Sequence, residues 1–168
     1  MDRFFGFLEE HPLFQFKEEW KTGTDYIFLE NETFYRIIIY EKEETLFFPI
    51  KYGISNPEQS VTGLEIYDAP IWFKQLLKKA NDAYFSKYKL QHVIEHKKRP
   101  IENVIFFCLL FEPCETGVYD EVYISDQQVE MPASFSVYES KIVSSIEKGG
   151  YKIDRIEKNT TKITMYVK

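Results

Sequence analysis

The chain is poor in the residues that most often announce a mechanism. It has two cysteines, Cys108 and Cys114, in 168 residues. Two cysteines cannot staple a chain of this length, so a disulfide scaffold is not expected and a reduced, cytoplasmic setting is. Glycine is scarce, with seven in all, and none stands in G-x-G-x-x-G or G-x-x-x-x-G-K. Nucleotide binding through a glycine-rich phosphate loop is therefore not expected. A Gly-x-Ser-x-Gly elbow is missing too. No apolar run approaches the ~20 residues of a membrane helix. The opening Met-Asp-Arg-Phe-Phe-Gly-Phe-Leu-Glu-Glu carries acids where a signal peptide needs an unbroken apolar stretch. No membrane partner is expected. Asn31-Glu32-Thr33 and Asn159-Thr160-Thr161 match the glycosylation pattern, which has no meaning without secretion.

What the chain does have is aromatic weight. Fifteen Phe and twelve Tyr help bring the aromatic share to 17% and the hydrophobic share to 44%. That supports a substantial core and, at this length, a single domain over residues 1–168. The net charge is −6, unevenly spread. Between Lys74 and Arg99 stand eight cations and two acids, a net of +6, so the remainder carries −12. A basic patch on an acidic body steers charged partners.

Periodicity orders the elements. Phe4, Phe5 and Leu8 predict a short N-terminal helix over 2–10, stopped by Pro12. Phe14, Phe16 and Trp20 then pack onto the body. Asp25–Glu30, Thr33–Glu41 and Thr45–Tyr52 read as strands of an antiparallel meander. Pro49 in the third removes a ladder donor and places it at an edge or a bulge. Residues 53–63 read as a loop. From Asp68, as N-cap, a helix begins with Pro70 in its first turn. Trp72, Phe73, Leu76, Leu77, Ala80 and Tyr84 form its buried stripe, continued by Leu90, Val93 and Ile94 and ended by Pro100.

Val104–Phe111, eight apolar residues in a row, reads as a central strand covered on both faces. Val118–Ile124 returns as another strand and 125–133 as a loop. Ser136-Val137-Tyr138-Glu139 has the form of a capping box opening a helix that Gly149-Gly150 closes. Tyr151–Glu157 and Lys162–Val167 form a last hairpin. The sum is an α+β fold, β-β-β-α-β-β-α-β-β after a short helix. One mainly antiparallel sheet with helices packed on one face is the simplest arrangement.

Few constellations could carry chemistry. His92-x-x-Glu95-His96 has the spacing of the inverted zinc peptidases. Two imidazoles four apart on a helix can share a metal beside a basic carboxylate. It needs a third ligand, for which Glu121 and Glu139 are candidates. It also lies beside Lys97-Lys98-Arg99, whose charge opposes a dication. Cys108 reads as an inert core thiol, and Cys114 sits beside Glu115, which raises a thiol pKa. Asp120 and Glu121 are adjacent on a strand and so point apart. The basic helix 74–99 could hold nucleic acid, but its aromatics are needed for the buried face and the net charge repels a polyanion.

A protein that works by binding is the leading expectation: a small bacterial or phage cytosolic inhibitor or immunity-type protein without a cofactor, with catalysis left open but disfavoured. Its partner would be another protein, such as a basic toxin or effector. Aromatics flanked by acids suit such an interface. Candidate contact residues are the acids Glu41, Glu43, Glu44, Asp120 and Glu121 and the helix lysines Lys74, Lys78 and Lys79. A metal-dependent hydrolase built on His92, Glu95 and His96 is the alternative from another class. A nucleic-acid-binding module using the basic helix is a third.

Overall fold

The computed structural model describes residues 3–41, 49–55, 66–88, 95, 97–112, 121–125 and 127–168. The chain divides into two compact units, Met1–Leu90 and Gln91–Lys168. Antiparallel sheets and helices build both, an α+β architecture. Among the described residues there are two four-stranded sheets, where the sequence suggests one as the simpler arrangement. Among the described residues no helix is long and apolar enough to cross a membrane.

The first unit is a meander under a helix. A short helix, α1 (Gly6–Glu9), precedes β1 (Phe14–Glu19), β2 (Gly23–Glu30), β3 (Thr33–Tyr40) and β4 (Ile50–Ser55), in sheet order β1-β2-β3-β4. Asn31 and Glu32 join β2 to β3 with φ of 50° and 66°, the left-handed backbone of a two-residue hairpin turn. Trp20 and Gly23 close a second tight turn, the Trp20 N–H donating to the Gly23 carbonyl at 2.7 Å. A Cβ at Gly23 would meet the Ile39 carbonyl oxygen at 2.2 Å, so glycine is required there. β4 lies at the sheet edge, but Pro49 stands just before it and not inside it, its carbonyl accepting the Tyr40 N–H at 3.1 Å; the strand runs on through residues 53–55, which the sequence suggests as loop.

The β2–β3 register decides what is buried. Phe28 faces Tyr35 and Tyr26 faces Ile37, and all four side chains are buried. A helix, α2 (Ile71–Tyr88), contributes Phe73, Leu77, Ala80 and Tyr84 to the core. The Tyr35 and Phe73 rings lie 5.1 Å apart, and the Tyr84 hydroxyl donates to the Tyr40 carbonyl at 3.1 Å. Pro70, rather than Asp68, opens the helix: its carbonyl accepts the Phe73 and Lys74 N–H groups at 3.1 and 3.2 Å. Asp68 ends a preceding 3-10 turn, Ile66–Asp68. The expected continuation through Leu90, Val93 and Ile94 lies outside the described residues.

Asp25, on β2, is fully buried, and Arg36 of β3 donates both Nε and Nη2 to its Oδ2. The pair is diagonal, because Asp25 faces Ile38 and Arg36 faces Ile27. The segment Phe14–Trp20 departs from the expectation that its aromatics pack onto the body. It forms β1, and from Gln15 to Trp20 it is exposed. Among the described strands its backbone is held by β2 alone, while Phe16 and Trp20 stay exposed.

The second unit carries α3 (Ile101–Leu109), β5 (Tyr123–Ser125), β6 (Gln128–Pro132), a 3-10 stretch (Ala133–Tyr138), α4 (Glu139–Lys148), β7 (Ile153–Lys158) and β8 (Lys162–Val167). Its sheet order is β5-β6-β8-β7. Ile101, Ile105 and Leu109 of α3, with Ile142 and Ile146 of α4, share one core with Val129, Met131, Ile163, Met165 and Val167.

Three expectations are overturned here. Val104–Phe111 is helix over most of its length, not a strand. Burial falls on Ile101, Ile105 and Leu109 at four-residue steps, and the neighbouring apolar residues hide that period. The 125–133 stretch is not all loop, because β6 alternates buried Val129 and Met131 with less buried Gln128 and Glu130. Ser136 caps no helix. It lies inside the 3-10 stretch, α4 begins at Glu139, and the Glu139 carboxylate takes Lys158 at 2.8 Å instead.

Gly149-Gly150 ends α4 as expected. Gly150 has φ of 101°, and a Cβ there would lie 2.5 Å from the Lys98 Cβ and 2.7 Å from the Lys97 carbonyl oxygen. Gly150→Ala is expected to cost about 1–3 kcal/mol, from a backbone conformation L-residues avoid and a clash with main chain. Urea denaturation of the purified variant measures it, and an unchanged midpoint would refute it.

Candidate functional site

The helices of the second unit share a core with one face of its sheet, and side-chain alternation sends the other residues to the opposite face. Register arranges those residues in two rows across the strands. One row runs Tyr123, Glu130, Thr164, Glu157, and the other Ser125, Gln128, Tyr166, Arg155. Lys162 of β8, opposite Pro132, adjoins them.

A polar network holds this face. Gln128 Nε2 donates to Glu130 Oε1 at 2.8 Å, and Lys162 Nζ lies 3.5 Å from the same oxygen. The Tyr166 hydroxyl donates to Glu157 Oε2 at 3.1 Å. Arg155 Nε sits 3.2 Å from Glu157 Oε1, while its Cζ lies 4.1 Å from the Tyr166 ring centroid. Tyr123 is 66% exposed at the outer strand. Each acid in the rows has a cation beside it, so the face is charge-balanced. It offers two tyrosines, an arginine and fixed donors and acceptors. That equipment suits recognition of a protein surface: Tyr and Arg give large contact area at little entropic cost, and both are enriched at interface hot spots.

The residues singled out from the sequence scatter. Glu121 is exposed two residues before Tyr123 and, among the described acids of the candidate set, is the one that adjoins this face. Glu41 is exposed just beyond β3, its carboxylate 3.7 Å from Lys87 Nζ on α2. Lys74 is 7% exposed and so is no part of a solvated cationic stripe. Lys78 and Lys79 are exposed. Lys79 Nζ stands 4.4 Å from the Phe7 ring centroid and lines a surface groove of about 690 Å³ with Arg3, Phe4, Gly6, Glu10 and Asp82. Glu95 is exposed. Glu43, Glu44, Asp120, His92, His96 and Cys114 lie outside the described residues. Cys108 is half-buried on α3. Among the described residues no three His, Cys, Asp or Glu side chains group to hold a metal ion.

His11 carries no signal in the sequence but holds a defined place in the fold. Its ring stacks on Trp72 at 5.1 Å and meets the Phe28 edge at 5.8 Å. Its Nδ1 accepts the Leu13 N–H at 3.1 Å, which makes Nε2 the protonated nitrogen of the neutral ring. Trp72 Nε1 donates to Glu30 Oε1 at 3.0 Å, binding α2 to the end of β2. No periodic pattern marks a lone histidine in a turn before Pro12, so only the fold exposes this arrangement.

Comparison with known proteins gives no relative: no family model, curated protein or solved structure matches the chain.

Burial under Trp72 lowers the His11 pKa below its ordinary 6.5, and the nearby Glu30 carboxylate opposes the shift. A group with a depressed folded pKa that is neutral when buried stabilises the fold above its unfolded pKa. That stability is lost as pH falls below about 6.5 and through the folded value. Protonation also removes the acceptor for Leu13. Urea midpoints are expected to drop from pH 7.5 to pH 5.5 in the wild type and to drop less in His11→Gln. Equal pH dependence of the two proteins would rule out this role for the imidazole.

Proposed function

We propose that the protein works by binding another protein, as an inhibitor or immunity-type protein, and that the tyrosine-bearing sheet face of the second unit makes the contact. The observation that carries this reading is the ordered face itself: exposed Tyr123 and the Arg155–Tyr166 stack braced by Glu157. Gln128 with Glu130, and Arg155 with Glu157 and Tyr166, are already paired, so docking orders little of that part of the face, which lowers the entropic cost of association. The partner in this reading is a basic cytosolic effector or toxin. The overall charge of −6 steers such a partner over a distance, and the balanced face then provides register. Glu121 adds negative charge at the rim beside Tyr123.

Immobilised full-length protein exposed to extract of its source cells is expected to retain one basic protein near equimolar amount. Tyr123→Ala and Arg155→Ala should each weaken retention about tenfold or more, as hot-spot truncations do. Lys78→Ala, on α2, should leave it unchanged. Equal retention by all three variants would sink this placement of the surface.

A further inference from the structure

The exposed strand β1 has a self-complementary outer edge. It lies at the end of its sheet, paired with β2 alone. Its inward residues are fixed by the ladder: Trp20 bonds Gly23, and the same register places Glu18 opposite Asp25 and Phe16 opposite Ile27. Alternation then turns the N–H and C=O groups of Lys17 and Glu19 outward, where no described strand meets them. Phe16 and Trp20 are 48% and 39% exposed on the same face of the strand as Glu18.

We infer that β1 pairs antiparallel with β1 of a second copy, about a two-fold axis at Glu18, joining two four-stranded sheets into one. In this register Lys17 of each copy faces Glu19 of the other, and the outward amides and carbonyls of both residues exchange hydrogen bonds. Phe16 faces the partner copy's Trp20 at the closer, non-hydrogen-bonded positions, where aromatic pairs gain most. A slip that brings the outward residues into register again fails either way. One direction sets Lys17 against Lys17 and the other Glu19 against Glu19, and like charges directly opposite are destabilising. A single lysine on an edge ordinarily discourages pairing. Here its partner in the symmetric register is a glutamate.

The opposing terms are small. Lys17 already lies 3.2 Å from the partly buried Glu9 and 3.3 Å from the exposed Glu19 of its own chain, but surface pairs of this kind contribute little. Glu18 faces its own copy across the axis and is the one repulsive pair. Arg36, held by Asp25 on the neighbouring strands, is near enough to interact with Glu18 and offset part of that repulsion. The surface belongs to the first unit and uses none of the residues of the tyrosine face, so it stands or falls independently of that reading.

Sedimentation equilibrium of the full chain, over micromolar to millimolar concentration, is expected to show a reversible dimer. Lys17→Glu and Glu19→Lys should each weaken it at least tenfold with unchanged circular dichroism. An equimolar mixture of the two variants should restore it, since both outward positions are then acidic on one strand and basic on the strand that faces it. Glu18→Gln should tighten it. A wild type that stays monomeric throughout would overturn the inference, as would variants whose mixture behaves like either alone.

Discussion

The first unit is organised by one buried carboxylate. Asp25 has no exposed surface, and Arg36 reaches it diagonally from the next strand with two donors. Its other oxygen, Oδ1, finds no hydrogen-bond partner among the described residues. A charge left in that position without Arg36 would be costly, so any register of β2 on β3 that separates the two is disfavoured. Slipping the pairing by one residue would also turn Asp25 toward the side where Phe28 and Tyr35 pack with Trp72. This register in turn sets β1, because Glu18 lies opposite Asp25, and thereby decides which β1 residues look outward.

Much of the first unit was legible in the sequence. Thr33–Tyr40 advertises itself by β-branched and aromatic content, and a strand does follow it, displaced along the chain so that Pro49 stands just outside. The second unit was harder for physical reasons. From Val104 to Leu109 α3 holds no polar position, so burial at Ile105 and Leu109 is not set off from its neighbours as a helical period. Asn103, at 1% exposure, adds a polar residue on the wrong side of the pattern. For β6, five residues ending at Pro132 and preceded by polar Gln127 carry too few alternations to outweigh turn-like composition. The 3-10 stretch illustrates how packing overrides a local motif: Ser136 and Glu139 have capping-box spacing, yet Phe135 is buried and the helix proper starts later.

The candidate surface was only partly foreseeable. Glu121 stands out by its charge, but the residues that build the face come from four strands and meet only through register. Arg155 and Tyr166 are adjacent because β7 pairs with β8 at that step, and no short window of sequence contains both. Lysines on a helix look interchangeable in sequence. Burial of Lys74 and the seating of Lys79 over Phe7 show that they are not. Long cationic side chains cover apolar surface with their stems as well as present charge, so counting them overstates an electrostatic patch.

Strand order bears on how each half forms. In the first unit every strand pairs with its sequence neighbour. Such contacts close short loops, need little prior organisation and form early. In the second unit β8 is the last of the four strands in the chain yet lies between β6 and β7. Its pairing with β6 spans the 3-10 stretch, α4 and β7, so β6 has only short β5 beside it until β8 arrives. During synthesis the meander can complete while the second sheet is still two separate pieces. The late-closing half is thus the one whose unpaired edges stay open longest, and the one where a chaperone or a premature partner would act.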